Sequence, residues 1–227
     1  MLLMKRLALT LLLTLLSLSP LRLGAEEWGR LLIGPTGGVS FSTVTFRPII
    51  QQKPYLGYSG GVALRYDVES YAGVLVELNY WKRGWVEAPE DYPQYTYRRH
   101  LSYVHVPIMT HFMIGGARSP FKITIDAGSH FGYKLDERED ERIEENFDPS
   151  TMRRVYREHH GHELDHNFWW GVGGGVGAEY HMRHLVVGLR GSYLYNLGEL
   201  FDNSRISLFG TSSEQVIDVR TYVLYRF

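Results

Sequence analysis

Cysteine is absent from the 227 residues. That removes a disulfide scaffold, thiolate metal sites and a lipidated cysteine behind an export signal. Net charge is nearly absent too: 24 Lys+Arg against 25 Asp+Glu leave a formal −1, so no basic footprint points to nucleic acid as a partner. Beyond residue 25 no stretch approaches the roughly 18 continuous apolar residues of a membrane-spanning helix. Glycine and aromatics are plentiful together, with 24 Gly, 16 Tyr, 10 Phe and 5 Trp, a pairing that suits β-strands better than a helical enzyme. A hydrophobic fraction of 44% excludes a disordered chain, and the length allows one domain or two small ones.

Residues 1–25 differ from the rest. Lys5 and Arg6 precede an apolar run from Leu7 to Leu18, and Leu23-Gly24-Ala25 places small residues near a cleavage point. This layout predicts a secretory signal peptide, leaving residues 26–227 as one domain. The run is short for a membrane anchor, and Pro20 and Arg22 prevent its extension toward residue 25. The segment holds three of the basic residues and none of the acidic ones, so the mature chain carries 21 basic against 25 acidic residues, a formal charge of −4.

After Ala25 the polarity repeats every two residues. At the C-terminus Ile217, Val219, Thr221, Val223, Tyr225 and Phe227 share one face, and Asp218, Arg220, Tyr222, Leu224 and Arg226 the other. In 121–134, Phe121, Ile123, Ile125 and Tyr133 oppose Lys122, Thr124, Asp126 and His130. In 167–181, Phe168, Trp170, Val172 and Val176 oppose Gly171, Gly173, Gly175 and Gly177. The same alternation predicts eight strands over 32–42, 56–67, 71–83, 99–114, 121–134, 167–181, 184–197 and 215–227.

The connections alternate as well. They are short after the second, fourth and sixth strands and long after the first, third, fifth and seventh (43–55, 84–98, 135–166 and 198–214). A closed meander then carries its short turns at one end and its long loops at the other, as a transmembrane barrel does with periplasmic turns and extracellular loops. The expected fold class is all-β, an eight-stranded antiparallel up-and-down transmembrane β-barrel, with both termini in the periplasm of a bacterial outer membrane. Alternation alone does not say which row faces oil, because a soluble barrel points its apolar row inward. Two features favour lipid. Aromatics end the apolar rows (Tyr58 and Tyr66, Phe121 and Tyr133, Phe168 and Tyr180), as girdles do. The opposite rows are rich in Gly, Ser and Thr with scattered charges, unlike the Lys/Glu-dense exterior of a soluble barrel.

Gly37-Gly38-Val39-Ser40-Phe41-Ser42, Gly57-Tyr58-Ser59-Gly60-Gly61-Val62 and Val74-Leu75-Val76-Glu77-Leu78-Asn79-Tyr80 follow one another in order. So do Leu101-Ser102-Tyr103-Val104-His105-Val106-Pro107-Ile108, Leu189-Arg190-Gly191-Ser192-Tyr193 and the closing Leu224-Tyr225-Arg226-Phe227. Together they resemble the PorT-like outer-membrane barrels of Bacteroidetes over nearly the whole mature chain. His105 departs from the Glu usual at that place in the family. The resemblance implies eight strands in the outer membrane; separately, the aromatic Phe227 closing the last expected strand resembles the signal that outer-membrane barrels present to their insertion machinery. The family resemblance implies no single activity, although the family's named member is associated with protein secretion.

The inward rows collect Arg65, Asp67, Glu77, His105, His111, Asp126, His130, Glu179, Arg190, Asp218, Arg220 and Arg226. An eight-stranded barrel holds little besides its own side chains, and buried charges need partners. An ion-paired plug is therefore expected, with Arg190 folding across the glycine row toward Asp126 or Glu179. His105, His111, Asp126 and His130 offer a general base with an orienting carboxylate, but no nucleophile motif accompanies them, and Ser102 points to lipid. The segment 135–166 holds 11 acidic residues, 5 Arg and 4 His, and reads as a solvated, mobile loop, with 136–158 partly helical or a β-extension. Within it His159, His160, His162, Glu163, Asp165 and His166 suit Zn²⁺ or Cu²⁺ by donor type, at a spacing that matches no defined site. In 84–98, Trp85, Tyr92, Tyr95 and Tyr97 serve equally as partner or glycan contacts or as rim packing.

No catalytic, cofactor-binding or metal residue is assigned, and no cofactor is expected. The expected partners are outer-membrane lipid and an envelope protein met through the long loops. Three functions stay open: a non-enzymatic scaffold or surface binding protein of an envelope or secretion complex, a small passive channel, and a lipid- or peptide-modifying envelope enzyme.

Overall fold

A computed structural model of the chain describes residues 31–116, 119–145, 147–153, 156, 159–202 and 209–227. The expected export segment, 1–25, lies outside the described residues. Among the described residues there are nine strands: β1 (Leu31–Arg47), β2 (Gln52–Lys53), β3 (Tyr55–Glu69), β4 (Ala72–Glu87), β5 (Tyr95–Ile114), β6 (Phe121–Ile143), β7 (Phe168–His181), β8 (Leu185–Glu199) and β9 (Thr211–Arg226). Each of the eight long strands pairs antiparallel with the next. Pairing of β1 with β9 and of β4 with β5 closes the ring. Closure matters physically because an open sheet edge in hydrocarbon leaves its N–H and C=O groups without partners.

The apolar rows face outward. Val62 and Leu64 on β3, Ile123 and Ile125 on β6, Val176 on β7, Leu189 on β8, and Ile217 and Val219 on β9 are all exposed, while Arg65, Glu77, His111, Asp126, Glu179, Arg190, Asp218 and Arg220 are buried. A water-soluble protein does not expose such a continuous apolar girdle around a charged core. The polarity is that of a barrel solvated by lipid.

The strands are longer than expected at the long-loop end. β5 has 20 residues and β6 has 23, against the roughly 9–11 that cross a bilayer. Above Tyr80 and Val104 the outward row turns polar, through Lys82 on β4 and Ser102, His100 and Arg98 on β5. A bulge at Ser102/Tyr103 lets β6 continue past Lys134 in register, with Asp136↔Ser102, Glu137↔Leu101 and Glu139↔Arg99. The extension therefore stands above the apolar girdle as paired strand. The segment expected to be a mobile loop is half of this wall: 135–143 is strand, and beyond it a short 3-10 turn, Pro149–Thr151, is capped by the Asp148 side chain. The remaining two-residue strand, β2, pairs Gln52 with Glu87 at the top of β4. The Gln52 side chain holds it there through the backbone of Val44, donating to O at 2.6 Å and accepting from N at 3.1 Å.

Candidate functional site

Two regions collect chemistry: the barrel interior and the mouth at the long-loop end. The interior is built in layers, because inward residues on neighbouring strands meet at one height. Nearest the short turns, Leu32, Val186 and Leu224 are fully buried. Above them Arg65 donates to Glu179 at 2.5 Å and pairs with Asp67 at 2.9 Å. His181 Nε2 and the Tyr222 hydroxyl also reach Glu179, both at 2.7 Å. His111 sits between Asp126 (Nδ1 to Oδ1, 2.6 Å) and Arg65 (3.1 Å from Nε2).

In the next layer Glu77 accepts from Arg190, from Arg220 and from Asn79 Nδ2, the last at 2.9 Å. Arg220 Nε also bonds Asp218 at 2.7 Å. Arg190 was expected to pair with Asp126 or Glu179. Its hydrogen-bond partner is Glu77 across the barrel; the expected Asp126 joins as a longer ion pair at 3.7 Å, while Glu179 is engaged by Arg65. The glycine row of β7 does not cradle this arginine side chain. A Cβ at Gly171 would meet Tyr195 O and His130, one at Gly173 would meet Leu194, and one at Gly175 would meet Ser192. These glycines admit their neighbours on β6 and β8.

A layer of stacked rings comes next. Arg83 lies 3.8 Å from the Trp169 ring and 4.3 Å from the Tyr103 ring, and reaches Glu214 at 3.3 Å. His105 and His130 pack on Trp169, and the His105 ring nitrogens have no hydrogen-bond partner among the described residues. Trp81 donates to Ser40 at 2.9 Å. Of the histidines weighed as general bases, His111 does meet a carboxylate, but it is fully buried among fixed ion pairs. His105 and His130 are packed as rings. Ser102 points outward as expected and accepts from the Tyr80 hydroxyl at 3.1 Å. The arrangement binds charges to one another and leaves none of these residues facing open solvent.

At the mouth, chain from the β6–β7 and β8–β9 connections folds over the barrel. Met152, Tyr156, Leu164, Phe201 and Phe209 are buried with Phe46, Trp85, Tyr95 and Tyr97 in one apolar cluster. The aromatics of 84–98 are thus rim packing: Trp85 and Tyr97 are fully buried. Arg99 threads this cap and pairs with Glu137 at 2.5 Å and Glu139 at 2.6 Å. Burial pushes the Tyr97 phenol up, with Arg99 opposing the shift and Glu139 reinforcing it. Tyr95 is pushed up by burial and then by the Glu141 carboxylate.

Inside the cap, Glu87 is buried at the top of β4. Its Oε1 lies 2.7 Å from His159 Nε2 and 2.7 Å from Trp85 Nε1, and its Oε2 lies 3.4 Å from His160 Nε2. Burial alone would raise this carboxyl, but the hydrogen bonds from His159 and His160 outweigh it and hold Glu87 below the usual carboxylate range. Of the six donors singled out in the sequence, only His159 and His160 converge. His162, Glu163, Asp165 and His166 do not join them, and Asp165 accepts from the backbone N of Asp202 at 2.8 Å. Glu87 was missed. The signal that could have found it is the alternation Arg83, Trp85, Glu87, which carries the inward row of β4 beyond the expected end at residue 83.

A family model described as "Outer membrane protein beta-barrel domain" matches residues 19–202. No curated protein matches the sequence. Among solved structures, the outer membrane protein OprG from Pseudomonas aeruginosa is 14% identical with a TM-score of 0.49, covering 87% of this chain and 95% of that one. Neisserial surface protein A is 12% identical with a TM-score of 0.44, covering 87% and 97%. Ail, the attachment invasion locus protein of Yersinia pestis, is 13% identical with a TM-score of 0.41, covering 86% and 98%. With the family model matching residues 19–202, most of this chain, and with a closed antiparallel ring that is apolar outside and ion-paired inside, the chain belongs to the outer membrane protein beta-barrel domain family.

Proposed function

We propose that this chain is a non-enzymatic outer-membrane barrel that holds a rigid, capped platform at the cell surface for an envelope partner. The observation that carries the reading is the pairing of a filled interior with a wall rising above the lipid girdle. Arg65, Glu77, Glu179, Arg190 and Arg220 are consumed by one another, which supports a scaffold over a passive channel. The outward row of β6 from Asp136 to Arg142 offers charge to a partner: the Arg138 and Asp136 side chains are 79% and 53% exposed. The finer identity rests on the sequence motifs that resemble the PorT-like barrels of Bacteroidetes, from Gly37-Gly38 to the closing Phe227. Residues 1–25 act as the export signal, both termini face the periplasm and the long connections face outward.

Recording in a planar bilayer tests the scaffold against the channel: silence is expected, and stable unitary steps from the purified barrel would overturn it. Protease added to whole cells tests the orientation. Cleavage is expected beyond β6, at Arg153, with the Arg183 turn protected; the opposite pattern inverts the topology. Cross-linking from native membranes should then capture a partner through the 135–143 wall.

A further inference from the structure

We infer that Glu87, His159 and His160 form a divalent-cation site of the zinc class, which pins the β6–β7 connection to the top of the barrel. One donor atom from each residue lies within 4.8 Å of the other two. Tetrahedral zinc with bonds of about 2.0–2.2 Å to imidazole nitrogen and carboxylate oxygen sets neighbouring donors about 3.3 Å apart. His160 Nε2 lies 3.4 Å from Glu87 Oε2, which matches that spacing; His159 Nε2 lies 2.7 Å from the other oxygen, Oε1, as a hydrogen bond that must open slightly to admit an ion. Two imidazoles and one carboxylate are a borderline donor set that prefers Zn²⁺ to Mg²⁺ or Ca²⁺. Three protein ligands leave the fourth position to water.

The surroundings fit an ion better than a lone ion pair. Glu87 and His159 are fully buried, and Phe46 and Phe209 pack their rings against His159 at 6.0 and 5.2 Å. A carboxylate in such a place needs compensating charge or hydrogen bonds, and a cation held between the three donors would supply charge directly. Outer contacts orient two of the three ligands, Glu87 and His160, as metal sites require. Trp85 Nε1 fixes Glu87 Oε1. His160 Nδ1 faces the Tyr95 hydroxyl at 3.0 Å and Glu141 at 3.4 Å, turning Nε2 toward Glu87. The His160 ring also stacks on Tyr97 at 3.8 Å. The two histidines stand 72 and 73 residues from Glu87 in sequence, so a bound ion would clamp distant chain segments together.

The test is Zn²⁺ titration of the folded barrel in detergent, in competition with a chromophoric chelator, and Co²⁺ substitution read by its ligand-field absorption. One equivalent is expected, with tetrahedral Co²⁺ bands. Glu87→Gln and His160→Ala should each weaken binding by at least about 100-fold, beyond the 10–100-fold typical of outer contacts. The double change His162→Ala/His166→Ala should leave it intact. His160 lies at the edge of the cluster, so His160→Ala keeps the test valid if Glu87→Gln fails to fold. Zn²⁺ should also slow tryptic cutting at Arg153 in the wild type and not in His160→Ala. Binding that survives His160→Ala, that disappears with His162 and His166, or that stays weaker than millimolar would overturn the site.

Discussion

Removing Arg190 makes the sharpest test of the interior. The guanidinium is buried and bonded to Glu77, which also holds Arg220 and Asn79. Arg190→Leu leaves Glu77 and Asp218 sharing Arg220 alone, an excess negative charge inside a closed barrel. Losing one member of a buried pair costs about 3–5 kcal/mol. A second change, Glu77→Gln, should recover part of that loss, because it leaves Arg220 and Asp218 as a balanced pair at 2.7 Å. The expected coupling lies within the roughly 0.5–3 kcal/mol seen for residues in one network. Asp126→Asn should recover less, since Asp126 stands 3.7 Å from Arg190 and is bonded to His111. Glu179→Gln should recover nothing, because its partners are Arg65, His111, His181 and Tyr222. Urea unfolding in lipid vesicles measures all four. If Glu179→Gln rescued as well as Glu77→Gln, or if the Arg190 and Glu77 changes were additive to within about 0.5 kcal/mol, the pairing of Arg190 with Glu77 would be wrong.

Leu189, half-exposed on the outer face of β8, should tolerate Ala, whereas Leu189→Arg should cost about 2–4 kcal/mol near mid-bilayer in the same unfolding assay. No cost would mean that this row does not meet lipid. A Cβ at Gly132 would fall 2.1 Å from the Trp169 ring, so Gly132→Ala should displace Trp169, shift tryptophan emission and cost about 1–3 kcal/mol. An unchanged spectrum would refute that packing. Arg99→Met should destabilise the wall by leaving Glu137 and Glu139 without their shared cation, seen as faster proteolysis beyond β6 while the girdle stays folded; equal loss of both would show that the wall is not a separate unit. Glu87→Leu would likewise free the cap, read by faster hydrogen exchange in 159–166, and unchanged exchange would count against the anchoring role of Glu87.

The eight long strands, their order and the inward or outward sense of the residues within the expected spans were legible in the sequence, because one face of each strand meets hydrocarbon and the period of two survives wherever the two faces meet different solvents. The short–long alternation of connections was equally legible, since a meander has no other way to place its turns. The sequence did not mark where the strands end. Above the girdle both faces of β5 and β6 carry charge, as in Arg98 beside Arg99 and Glu139 beside Asp140, so polarity no longer alternates although the backbone still pairs. Partner choice was also hidden. Alternation puts Arg190, Glu77, Asp126 and Glu179 all inside, but the stagger of the closed ring decides which strands face one another across it, and it brings β8 opposite β4. The same holds at the mouth. His159 and His160 stand out in any reading of the chain, yet only the folding of their connection over the barrel brings them to Glu87, because that contact depends on closure of the ring and no local sequence spacing encodes it.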